Sequence, residues 1–302
     1  MVLLWIRSDW RPTWSFSSDA FKDLLGFSGL SFVAALAVFL GSRSDALVVG
    51  LLFGPTAAGL FFFANRLVQM AVTFASSAIQ GASLPEFSRN QDDLERLTDR
   101  LESVLTMSAT IGFPLLALVA GASTELVELL GRADWEPAGG LMRLLAVAGA
   151  VRAITLFTGP FLQSTGRPGS HAGLSWVAAL LGTGAFVVVG QIYGDEDLGT
   201  QVTALANSRV IVHLLFIPMF LGPIVSLTNL TVARVLATLW RPSVVALSTY
   251  AFAVLLFGAL GQLTTLAALL IGGIASTAVA GGLTLALVPA LRERALALRP
   301  SK

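Results

Sequence analysis

Apolar windows of about 20 residues, the length that crosses a hydrocarbon core about 30 Å thick, recur eight times along this chain, at 27–53, 56–84, 103–122, 138–163, 171–193, 200–222, 231–259 and 262–291. Helix-breaking residues fall between them. Gly54-Pro55, Trp135-Glu136-Pro137, Gly166-Arg167-Pro168 and Gly222-Pro223 mark places where backbone without helical bonds reaches water. No run alternates apolar and polar residues in the way a barrel strand requires. The pattern predicts an all-α, polytopic integral membrane protein with about eight transmembrane helices. The segment 91–102, Gln91 to Glu102, reads as a short amphipathic helix that enters the third span.

Loop charges orient these spans, because cytoplasmic loops collect Lys and Arg. Arg7, Arg11 and Lys22 precede the first span; Arg89, Arg96 and Arg100 follow the second; Arg167 follows the fourth. Arg234 and Arg241 surround the sixth-to-seventh connection, and Arg292, Arg294, Arg299 and Lys302 close the chain. With eight spans all of them lie on one side, so both termini are expected in the cytoplasm. The opposite loops carry Glu125, Glu128, Asp134 and Glu136 with a single Arg132, then Asp195, Glu196 and Asp197.

Composition agrees with the pattern. Of 302 residues 55% are hydrophobic and only 12% charged, about half the charged share of a soluble domain, and the mean hydropathy is +0.79. A net charge of +1 offers no electrostatic footprint for nucleic acid. The absence of cysteine excludes a disulfide framework and a thiolate metal site. No zinc-protease, nucleophile-elbow or Walker motif occurs, so neither an enzyme nor a bound cofactor or metal is expected.

Candidate chemistry comes from ionisable side chains at membrane depth, which cost about 2.5–3.5 kcal/mol each on insertion scales. Arg66 and Arg209 fall about 15 Å from the outer ends of their helices and Arg152 about 20 Å in, counting 1.5 Å per residue. Arg143 is shallow enough to snorkel. Arg66, Gln69, Thr73, Ser76 or Ser77, and Gln80 form a polar stripe along the second span; Arg152, Thr155, Gly159 and Gln163 form a shorter one on the fourth. Arg43 and Asp45 point about 200° apart and cannot pair locally, so Asp45 needs a distant partner, for which Arg66 is a candidate. Asp45, Arg43 and His213 are read either as packing groups or as a proton- or cation-sensitive gate. Gly50 and Gly54 form a GxxxG that would allow close helix packing.

Several runs together resemble a known family. They are Asp45 to Leu67, with Gly54-Pro55-Thr56 at its centre and Asn65-Arg66-Leu67 at its end; Leu84-Pro85-Glu86-Phe87-Ser88-Arg89; Leu130-Gly131-Arg132-Ala133-Asp134-Trp135; and Leu162-Gln163-Ser164-Thr165-Gly166-Arg167-Pro168. In this order they look like the polysaccharide transporter branch, the Wzx-like flippases and lipopolysaccharide biosynthesis proteins, of the multidrug/oligosaccharidyl-lipid/polysaccharide exporter superfamily. Trp10 to Ser17 resembles the connection between that family's two lobes.

The resemblance implies the second lobe of a MATE-like fold: residues 1–26 as a cytoplasmic lead-in holding the tail of a missing preceding helix, 27–222 as a six-helix lobe, and 223–302 as two additional helices with a basic tail. It implies flipping of lipid-diphosphate-linked oligosaccharide across the cell inner (plasma) membrane, with Arg66, Gln69, Arg152 and Arg209 lining a cavity for the anionic head group. Because alternating access needs two bodies, the chain is then a truncated product, the partner of a missing N-terminal lobe, or one copy of a homodimer. A drug/cation antiporter and a non-transporting remnant or scaffold of a glycan-synthesis complex are the competing readings.

Overall fold

A computed structural model describes residues 17–130, 135–261 and 263–287. The lobe-connection motif at Trp10, the tail segment Met1 to Ile6, the loop charges Arg132 and Asp134 and the basic C-terminal tail lie outside the described residues. Among the described residues there are nine helices and no strand. In chain order these are α1 Ser18–Arg89, α2 Leu94–Gly121, α3 Ser123–Leu130, α4 Pro137–Thr155, α5 Thr158–Ser164, α6 Pro168–Tyr193, α7 Leu198–Leu227, α8 Val232–Ala259 and α9 Thr265–Leu287.

The first element is two spans rather than one. Its apolar stretch Ser28–Ser77 has 50 residues, about 75 Å if straight and more than twice a bilayer core. Gly54, at φ 79° and ψ 173°, interrupts it in backbone space that only glycine enters cheaply. Asp45 and Phe61 flank that residue and both reach Arg209, which two points about 24 Å apart on a straight helix could not do. The arms therefore fold back on each other. With six further stretches long and apolar enough to cross a membrane, the described residues supply eight candidate spans, the even count that the loop charges require.

Two other boundaries differ from the sequence reading. The expected span 138–163 is split into α4 and α5, because Pro160 has no N–H for the carbonyl four residues back and its ring crowds that turn. Gly222-Pro223, expected to separate two spans, lies inside α7, which runs on to Leu227. A proline is tolerated inside a membrane helix because local adjustments and neighbours re-satisfy the freed backbone; one residue past the Met219 carbonyl that Pro223 leaves without its N–H, Thr158 Oγ1 donates to the carbonyl of Phe220 at 3.1 Å.

Packing follows the rules of a lipid solvent. The outer surface keeps large apolar side chains such as Leu51, Phe74, Leu255 and Ile274 exposed, whereas Phe61, Leu141, Met142, Leu145 and Phe186 are fully buried in the centre. Helices approach through small residues. A Cβ on Gly121 would stand 2.6 Å from that of Ala253, holding α2 against α8, and one on Gly41 would stand 2.9 Å from that of Ala179, holding α1 against α6. The expected GxxxG contact is absent: nothing lies within 4 Å of a Cβ built at Gly50 or Gly54. Gly54 is there for its backbone angle, not for packing.

Charge separates the two ends of the bundle. The amphipathic segment is the first part of α2, capped by Asp93, whose carboxylate accepts from Arg96 N at 3.0 Å. Arg234 at the start of α8 pairs with Glu102 at 2.6 Å and Asp99 at 3.3 Å, and Arg100 pairs with Glu86 at 3.1 Å. These basic groups lie at the end where α1 meets α2 and α7 meets α8, the end that the loop-charge rule expects in the cytoplasm. At the other end Arg143 donates to the hydroxyls of Ser123 and Thr124, both at 2.9 Å, which ties α4 to α3. Asp197 caps α7 through Thr200, and that hydrogen bonding holds its carboxyl below the usual range.

Candidate functional site

Near mid-membrane the bundle encloses an open cavity of about 400 Å³. The first arm of α1 contributes Asp45, the second arm Asn65 and Gln69, α4 Arg152 and Thr155, α6 His171, and α7 Arg209 and His213. The site forms where it does because α4 breaks beside it: Thr155, Leu156 and Gly159 all line the cavity around the turn that Pro160 denies a backbone bond.

Arg209 is the most constrained of these groups. Its guanidinium lies over the rings of Phe186, at 4.7 Å, and Phe61, at 6.0 Å, and those rings pack edge to face 5.4 Å apart. One Nη donates to Asp45 Oδ2 at 2.6 Å, while Thr183 Oγ1 donates to Asp45 Oδ1 at 3.2 Å. Its Nε is buried with no acceptor. Arg152 lines the same cavity, and no carboxylate of the described residues forms an ion pair with it. Asp45 is the sole acidic residue among the described lining groups and is committed to Arg209, so the cavity carries an uncompensated positive charge.

The histidines are oriented by their neighbours. Nδ1 of His213 lies 2.9 Å from the carbonyl of Arg209, an acceptor only, so Nδ1 carries the proton. Nδ1 of His171 lies 3.3 Å from the Gln163 amide nitrogen, a donor only, so His171 carries its proton on Nε2. That Nε2 would be 2.7 Å from a Cβ on Gly159, which leaves no room there for a larger residue.

The structure thus brings together Asp45, Gln69, Arg152, Arg209 and His213 and leaves two expected residues out. Arg66 is exposed on the outer face of its arm and is not among the lining groups; the partner of Asp45 is Arg209, not Arg66. Arg43 is also exposed, with its guanidinium 5.3 Å from the Phe39 ring centre. The polar stripe on the second arm divides as well: Gln69 faces the cavity, Thr73 and Ser77 are exposed, and Ser76 is buried against the carbonyl of Val72. Asn65, Thr183 and His171 were missed. Asn65 was legible, since it lies four residues before Gln69 and shares its face, while Thr183 and His171 have no such companion in sequence.

Residues 1–139 match the family model described as polysaccharide biosynthesis protein. The chain is 24% identical to the teichuronic acid biosynthesis protein TuaB of Bacillus subtilis, over 55% of this chain and 35% of that one. It is 24% identical to the lipopolysaccharide biosynthesis protein WzxC of Escherichia coli, over 84% of this chain and 51% of that one. NADH-quinone oxidoreductase subunit 13 of Thermus thermophilus matches at 30% over 65% of this chain and 41% of its own. In a chain with 55% hydrophobic residues identities accumulate between apolar helices of any origin, so the family-model match outweighs that figure. The chain spans about half or less of the length of these relatives. No solved structure matches it. Its helices make the chain a multi-pass membrane protein, and these matches make it similar to bacterial polysaccharide biosynthesis proteins.

Proposed function

We propose that this chain is the second half of an exporter that carries lipid-linked oligosaccharide or polysaccharide precursors across the cell inner membrane by alternating access. The observation that carries this reading is Arg152, a cation that forms no ion pair with a carboxylate of the described residues, in a cavity that also holds Arg209. Guanidinium is always charged and presents its donors in a planar fork that suits phosphate oxygens. A broken helix beside such groups is the usual way a membrane carrier builds a site at this depth. On this reading residues 27–222 form the transporting lobe and 223–302 an added helical pair.

The exposed Arg66, about 18 Å along its arm from Gly54, then belongs to a seam with a second body, either a first transporter lobe or a second copy of the chain. A cation/drug antiporter is disfavoured by the commitment of Asp45 to Arg209. Replacing Arg152 by Ala, in cells that depend on this protein for surface polysaccharide, is expected to reduce export about 10- to 100-fold, the factor carried by one charge-assisted hydrogen bond. The variant's amount in the membrane should be unchanged. Export at the wild-type level from a membrane-inserted Arg152→Ala protein would defeat the proposal and favour a scaffold role.

A further inference from the structure

Asp45 sits between two helices in this cavity, paired with Arg209 and hydrogen-bonded by Thr183. Three features define its position: its Oδ2 takes one Nη of Arg209 at 2.6 Å, its Oδ1 is held by Thr183 at 3.2 Å, and Arg209 keeps a buried Nε with no acceptor. The guanidinium therefore has more donors than its present partner uses, and it is fixed in place by the Phe61 and Phe186 rings. Arg152, on the facing helix, has none of its donors committed to a carboxylate of the described residues. A carboxylate is the chemical nearest neighbour of a phosphate oxygen pair: both are planar-fork acceptors for the same donor.

We infer that Asp45 is a built-in competitor, a resident anion that occupies Arg209 and that a diphosphate-class ligand must displace from it before bridging Arg209 and Arg152. This rests on the reading of the cavity as an anion site. The arrangement has a clear physical purpose. Two uncompensated guanidinium groups in a bundle core would be costly when the cavity is empty. A carboxylate anchored on α1 and α6 stabilises Arg209 in the resting state at the expense of ligand affinity, and this keeps binding weak enough for release. Exchange of Arg209 from Asp45 to the ligand would also loosen the contact between α1 and α7, which is the kind of differential interaction through which a ligand shifts a conformational equilibrium.

The test is a binding titration on the purified chain in detergent with inorganic pyrophosphate and, in parallel, farnesyl diphosphate. Asp45→Asn keeps one acceptor oxygen for Arg209, its NH2 donating instead to the Thr183 hydroxyl, but removes the competing charge, and it is expected to tighten pyrophosphate binding about tenfold; Arg152→Ala is expected to weaken it by a similar factor. Thr183→Val, which frees one Asp45 oxygen without touching either arginine, is expected to move affinity in the same direction as Asp45→Asn by a smaller factor, and it serves as the second variant should Asp45→Asn not fold. Equal or weaker binding by both Asp45→Asn and Thr183→Val, with Arg152→Ala still weakened, would overturn the competitor role while leaving the anion site intact. Absence of binding by the wild type and by every variant would overturn both. Tighter binding of farnesyl diphosphate than of pyrophosphate assigns a lipid-borne source to the anion, and equal binding assigns the free diphosphate.

Discussion

Asp45→Ala is expected to lower the stability of the bundle by about 3 kcal/mol, the size of effect seen when one partner of a buried ion pair is removed. The magnitude comes from what is left behind. Asp45 and Arg209 keep only 10% and 17% of their side-chain surface exposed, and Arg209 already holds one donor without an acceptor. Losing the carboxylate leaves a whole guanidinium in a poorly hydrated core, a far larger penalty than the net worth of the pair itself. Replacing both residues by apolar side chains of similar size, as in Asp45→Leu with Arg209→Met, should then recover most of the loss, because neither charge remains to be solvated. Thermal unfolding of the two single variants and the double variant in detergent forms the double-mutant cycle that checks this. Two additive single effects would mean that the cavity is wet enough to solvate each charge alone.

Gly54→Val should be the most damaging single change in the first hairpin, costing about 3 kcal/mol or more in a region of backbone space that β-branched residues do not enter without strain. The change removes no side-chain contact, since nothing lies within 4 Å of a Cβ at that position; its effect is conformational. The 50-residue apolar stretch would lose the turn that divides it into two crossings, and Asp45 would no longer be held on the same face of the bundle as Phe61 and Arg209. Gly50→Ala is the matched control. It lies one helical turn earlier with equally open space around it and ordinary helical angles, so it should be neutral or slightly stabilising through its better helix propensity. Protein recovered from membranes, followed by thermal unfolding, separates the two. Equal tolerance of both would mean that the reversal at Gly54 does not depend on its positive φ.

The Gly50–Gly54 pair also illustrates what sequence patterning can and cannot say. The motif suggested a packing seam, and the same spacing in fact contains a turn residue next to a proline. The seams are at Gly41 with Ala179 and Gly121 with Ala253, positions that carry no pairwise signature because the partner residues are more than 100 positions away in the chain. Gly222-Pro223 misled in the opposite sense: a proline that ends a helix in water is carried through inside the bundle, where α7 runs on to Leu227.

For the cavity, the sequence specified depth but not direction. Arg66 and Arg209 lie at similar distances from the outer ends of their helices, and the insertion cost of an arginine depends on that distance, so local chemistry ranks them alike. One faces Asp45 and the other lies exposed because successive residues on a helix turn by about 100°. Asn65 thereby enters the cavity and Arg66 leaves it.

What the chain determined by itself was everything set by transfer between water and lipid over a window of residues: the number of apolar spans, the end that collects the basic loop residues and the set of charges placed within the spans. These are sums over short stretches, and they hold whatever the neighbours are. What only the tertiary structure decided was which of those charges meet. Asp45 finds Arg209 across 164 positions, and Arg152 is left with no carboxylate of the described residues as an ion-pair partner, because helix rotation and contact are chosen by the packing of whole faces against one another, a choice that no local window of sequence contains.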